Sequence, residues 1–129
     1  MEDGMMDART RRRYRRRLLD ELGKNGKLLG RLRQSVSDRG KESATSGVFA
    51  SHLAERANDE YERESDTVLA DAQGRQVHEI EEALRRIEEG IFGVCEACGA
   101  DIEKRRLEVI PSARFCLRCQ ERHERHLRN

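Results

Sequence analysis

Residues 95–119 read CEACGADIEKRRLEVIPSARFCLRC and contain all four cysteines of a 129-residue chain. The pairs Cys95-x2-Cys98 and Cys116-x2-Cys119 are separated by seventeen residues. Two thiolates two residues apart grip one metal from a tight turn, and two such turns close a tetrahedron. Four sulfur ligands leave no position for water, so the spacing predicts one structural Zn2+ held by Cys95, Cys98, Cys116 and Cys119. Gly99 follows the first pair and permits a backbone conformation that other residues resist. The paired spacing matches neither common ferredoxin pattern, and a dithiol redox centre leaves one pair unexplained. His123 and His126 come soon after and are expected on a short terminal helix rather than on the metal.

Outward from these cysteines the chain reads as helix. Charged residues make up 40% and hydrophobic ones 36%, with a single Pro and no Trp. Such a composition argues against a large compact core. The chain either stays partly disordered or folds into long helices with narrow apolar seams, and the lone Pro with abundant Glu, Arg and Leu favours the helices. Over residues 8–36, Leu18, Leu22, Leu29, Leu32 and Val36 fall at alternating three- and four-residue steps, with Asn25 filling one seam position. Gly23, Gly26 and Gly30 oppose this helix by about 1 kcal/mol each relative to Ala. Residues 37–47, SDRGKESATSG, are polar and aperiodic and read as a loop.

A second helix is predicted from about Ser51 to Glu89, with Tyr61, Val68, Ala72, Ile80, Leu84, Ile87 and Ile91 as its apolar stripe and Gly90 at its cap. The fold class expected is all-α: a long antiparallel helical hairpin (coiled coil), a small four-cysteine zinc-finger module and a short C-terminal helix. The domain division expected is residues 1–89 for the hairpin, with a tip near 37–51, and 90–129 for the finger and terminal helix. A heptad seam can pair within one chain or between two, which leaves the oligomeric state open.

Net charge is +1, but it is unevenly distributed. Residues 9–33 carry eleven basic residues against two acids, and residues 55–89 carry twelve acids against five Arg. Antiparallel packing would set the basic arm beside the acidic one. The run RTRRRYRRR at residues 9–17 is therefore expected to be a solvated face offset by that acidic arm. Its seven arginines exceed what pairing requires, which leaves Arg11, Arg12, Arg13, Arg15, Arg16 and Arg17 open as a basic contact for nucleic acid or an acidic protein surface. No helix of base-reading length is expected between the cysteine pairs, so sequence-specific DNA reading is not expected. No apolar stretch approaches the roughly 20 residues of a membrane span, and the N-terminus has no secretory pattern. A cytoplasmic location with reduced thiols is expected. No nucleophile–base pair appears, so the chain does not read as an enzyme.

Cys95-Glu96-x-Cys98, then Ile102, Arg106, Pro111 and Cys116-x2-Cys119 at three-, three-, four- and four-residue gaps, resembles the DksA/TraR zinc-finger signature at every defined position. With Ile91-Phe92-Gly93 and the upstream helix, the similarity extends over most of residues 50–119. The resemblance implies regulation of bacterial transcription: the hairpin enters the secondary channel of RNA polymerase with its tip toward the catalytic magnesium, the zinc end stays at the rim, and initiation is altered. It also places a tip Asp-x-x-Asp-x-Ala pattern over residues 52–57, where this chain has His52, Glu55 and Ala57. The positions implied for ppGpp hold Gln76, Glu79, Ile110 and Gln120; none is basic, so a DksA-type ppGpp site is not expected. Two further readings remain beside this one: a nucleic-acid-binding zinc protein using residues 9–17, and a redox- or zinc-responsive adaptor whose hairpin base loosens when metal is lost.

Overall fold

The computed structural model describes the backbone of residues 6–45 and 53–128 and the side chains of residues 6–38 and 60–128. Among the described residues four helices follow one another: α1 (Ala8–Thr45), α2 (Leu53–Glu89), α3 (Lys104–Val109) and α4 (Leu117–Arg128). Among the described residues strand pairing is limited to one isolated antiparallel bridge, Val94 to Asp101. The chain divides into two compact units, one formed by the described residues up to Leu22 and from His78 onward, the other by Gly23–Val77.

In the Gly23–Val77 unit the two long helices run antiparallel. The Gln73 amide donates to the Asn25 side-chain oxygen, and Ser35 Oγ donates to Asp66 at 3.0 Å. Ten residues forward on α1 thus correspond to seven backward on α2. Leu29 and Ala70 are buried here, and Leu32, Val36 and Val77 are half-buried. The α1 seam follows the expected heptad, and the polar seam residue Asn25 has a partner across the helices.

Two expectations need correction. α1 continues to Thr45 rather than ending at Val36, so residues 37–45 are helical. Absence of an apolar period deprives that stretch of a packing signal without breaking the helix, and Gln34 donates to Asp38 at 2.9 Å one turn on. The remainder of the expected tip, residues 46–51, lies outside the described residues. The upper part of the stripe expected on α2 does not face α1. Tyr61 and Val68 are 73% and 65% exposed, and Ala72 is exposed. The seam instead runs through Asp66, Ala70, Gln73 and Val77, at steps of four, three and four. Apart from Val77 its members are polar or small, and Asp66 and Gln73 each meet a partner on α1, so counting apolar residues points away from it.

The other unit has one core. Tyr14 and Leu18 of α1, Ile80 and Ala83 of α2, and Phe92, Ile102, Leu107 and Ala113 cluster with Cys95, Cys116 and Cys119. The Tyr14 and Phe92 rings lie 5.3 Å apart, tilted. Burial of Leu18 or Ile80 alone contributes roughly 1.5–3 kcal/mol. At the end of α2, Gly90 takes φ 78°, Ile91 N–H donates to Arg86 O at 3.0 Å and Gly90 N–H to Ile87 O at 3.2 Å. This Schellman turn satisfies the last carbonyls and sends the chain into the finger.

Candidate metal centre

The first cysteine pair sits on a loop. Cys95 N–H donates to Ala100 O at 2.7 Å, Gly99 N–H to Cys95 O at 3.0 Å, and Gly99 adopts φ 77°. A side chain at 99 would be strained in that left-handed conformation. The second pair departs from the expected tight turn. Cys116 immediately precedes α4 and Cys119 lies in its first turn, where i,i+3 spacing puts both on one face.

All four sulfurs lie within 4.8 Å of one another, and Cys98 Sγ is 3.9 Å from Cys116 Sγ. Four thiolates on one zinc, at bonds of about 2.3 Å, stand about 3.8 Å apart, so the donor set fits a tetrahedral ion. Burial pushes the Cys95 thiol up, but N–H groups of Cys116, Cys98 and Ala97 outweigh it and draw the group down to about 6. Cys119 is pushed up to about 12, first by its contact with Cys116, then by burial and the remaining sulfurs. Four crowded sulfurs cannot all ionise on their own, and a divalent cation is what lets them do so. Zinc supplies a cross-link between the two knuckles here, not an open coordination position.

The other signature residues serve this frame. Ile102 is in the core and Pro111 is buried. Arg106 Nε donates to Phe115 O at 2.9 Å, holding the approach to Cys116. Glu103 accepts the Leu117 N–H at 3.4 Å at the start of α4. Glu96 accepts from Arg114 at 2.9 Å and from Arg86 at 3.5 Å. Arg86, on α2, is almost fully buried and also donates to Ala113 O at 3.4 Å. Burial lowers its pKa and the Glu96 carboxylate counters that. Sequence reading missed this cluster; the available mark was Arg86 set between Leu84 and Ile87 of the expected apolar stripe.

His123 stacks against Phe115 with ring centres 5.5 Å apart, as befits a terminal-helix residue. The metal-ligating group among the described residues consists of the four cysteines. His52 lies outside the described residues; Glu55 and Ala57 lie on α2, with their side chains outside them. Ile110 is exposed and Gln120 donates to Glu124 at 3.0 Å, while Glu79 is half-buried; Gln76 belongs to the other unit.

The arginine run corrects another expectation. Arg13 donates to Glu108 Oε1 at 2.9 Å, Tyr14 OH to the same oxygen at 2.9 Å, and Arg17 to Glu108 O at 2.5 Å. Those two bonds to its carboxylate hold Glu108 below the usual carboxylate range. Among the described residues the run's acid partners are therefore Glu108 on α3, which meets Arg13, and Glu21 of α1 itself, 3.4 Å from Arg17, rather than the acids of α2. At the lower end of α2, Glu82 and Glu89 are taken by Arg85 of their own helix at 2.8 and 2.6 Å.

Known proteins share this arrangement. The prokaryotic DksA/TraR C4-type zinc finger matches residues 90–125. The RNA polymerase-binding transcription factor DksA of Caulobacter vibrioides is 38% identical over 101 residues, spanning 78% of this chain and 68% of that protein. The chain belongs to the DksA/TraR family. Its counterpart of the same name in Escherichia coli K12 is 36% identical over 66 residues, 51% of this chain and 44% of that one. The structure of transcription factor DksA2 from Pseudomonas aeruginosa superposes with a TM-score of 0.78 at 26% identity, covering all of this chain and 94% of the other. The helical hairpin and four-cysteine zinc site are thus shared features of the family. No described helix is long and apolar enough to cross a membrane.

Proposed function

We propose that this chain binds bacterial RNA polymerase, enters its secondary channel with the tip of the helical hairpin and modulates transcription initiation. The observation that carries this reading is the 38% identity over 101 residues with a protein named for binding RNA polymerase. Cys95, Cys98, Cys116 and Cys119 hold a structural zinc that fixes the base of the hairpin. Residues 1–89 act as the lever and its tip, and residues 90–129 as the mount. His52, Glu55 and Ala57 are the tip residues that act near the polymerase centre, with Glu55 carrying the charge. The chain works as a cytoplasmic regulator without enzymatic activity of its own. Gln76, Glu79, Ile110 and Gln120 offer no basic group to a polyphosphate, so ppGpp does not bind in the DksA manner.

Zinc-loaded protein is mixed with bacterial RNA polymerase and a labelled secondary-channel factor. Mutual displacement is expected, and Glu55→Ala should retain displacement while blunting the effect on initiation in a purified transcription assay. Simultaneous binding of both proteins, or no binding at all, overturns the reading.

A further inference from the structure

We propose that the outward arginine face of α1, formed by Arg9, Arg12, Arg15 and Arg16, binds the phosphate backbone of nucleic acid without reading its sequence. The run divides into two sets. Arg11 donates to Met6 O at 3.1 Å, and Arg13 and Arg17 secure Glu108. These three tie α1 to its surroundings. Arg9, Arg12, Arg15 and Arg16 are exposed, and Arg12, Arg15 and Arg16 have no acid or carbonyl partner among the described residues.

The spacing gathers these charges. Arg9, Arg12 and Arg16 succeed one another at i, i+3 and i+7, and Arg15 stands one turn from Arg12. The face spans about 10 Å along the helix. Like charges at such separations destabilise a helix; Asp20, one turn beyond Arg16, is the nearest acid that follows on α1, and Arg12 and Arg15 have no acid three or four residues away. α3 extends the surface: Arg105, exposed, precedes Glu108 by three residues on the same side of that helix, and Lys104 is exposed beside it. An anion presenting repeated charge removes the repulsion.

Phosphate is favoured over an acidic protein surface by what the face lacks. Tyr14, the one aromatic residue of the run, is turned into the core at 2% exposure. Protein partners are gripped chiefly by buried aromatic and apolar anchors, with charges at the rim. A nucleic-acid backbone needs only cations, and guanidinium forks hold phosphate oxygens in pairs. The inference stands apart from the polymerase reading, since its test contains no polymerase.

The zinc-loaded chain of residues 1–129 is titrated into a fluorescent mixed-sequence DNA duplex at several salt concentrations. With three or four phosphates neutralised, log affinity should fall against log salt with a slope of about −3. The Arg12→Gln/Arg15→Gln/Arg16→Gln variant, whose replaced side chains bond to no acid or carbonyl among the described residues, should keep its helicity and zinc. It should bind at least about tenfold more weakly at about 50 mM salt, with a slope near −1. A second duplex of unrelated sequence should bind within about twofold of the first. Absence of duplex binding at that salt, or an unchanged slope in the triple variant, overturns the proposal. Tighter binding of polyglutamate than of duplex at equal charge concentration also overturns it and assigns the face to an acidic protein.

Discussion

Glu96 stands between two metal-binding cysteines, yet its carboxylate serves two arginines, Arg114 at the surface and Arg86 underneath. A guanidinium at 2% exposure is tolerable only with its charge met. Removal of one partner from a buried pair costs about 3–5 kcal/mol. Glu96 is a third exposed and Arg86 keeps the Ala113 carbonyl, so Glu96→Ala should cost less, about 1–2 kcal/mol. Arg86→Met keeps much of the volume and should cost less still, and the double variant should be no worse than Glu96→Ala. Urea unfolding of the zinc-loaded proteins measures all three. An unmoved midpoint in Glu96→Ala would show that the buried charge is met without the carboxylate.

At the scale of the elements, the two long helices are matched by polar residues where apolar ones would hold them more tightly. Asn25 and Gln73 meet each other, as do Ser35 and Asp66. A polar pair in a heptad seam gives up stability and specifies register and partner number. Asn25→Leu should lower stability by about 1 kcal/mol, because the half-buried Gln73 amide loses its acceptor. Asn25→Leu/Gln73→Leu should raise the thermal midpoint above wild type while broadening the distribution of oligomeric species in sedimentation velocity. A double variant that gains stability and stays a single species would show that register is specified elsewhere. The same pairs explain the misplaced stripe on α2, since a seam written in Asp66, Ala70 and Gln73 is invisible to a search for apolar periodicity.

For the molecule as a whole, the metal-binding cysteines are also core residues: Cys95, Cys116 and Cys119 pack with Leu18, Ile80, Phe92 and Leu107. Metal binding is therefore folding energy for that core. Chelation should release one equivalent of zinc per chain and raise amide exchange over residues 90–119 first. Because thiolates bind and thiols do not, zinc should be held more weakly as pH falls, which a chelator competition across pH will read out. Retention of full protection after zinc removal would show that the core stands without it. The sequence by itself determined the metal, its four ligands, the hairpin and the family, because cysteine spacing and a 3.5-residue leucine period are local patterns that chemistry constrains tightly. It could not show that Arg86 is buried or that α2 turns its small and polar residues inward. Nor could it show that Glu108, rather than the acidic arm, takes Arg13 and Arg17. Those outcomes depend on partners distant in the chain, and only tertiary packing decides which charges meet and which are left facing outward.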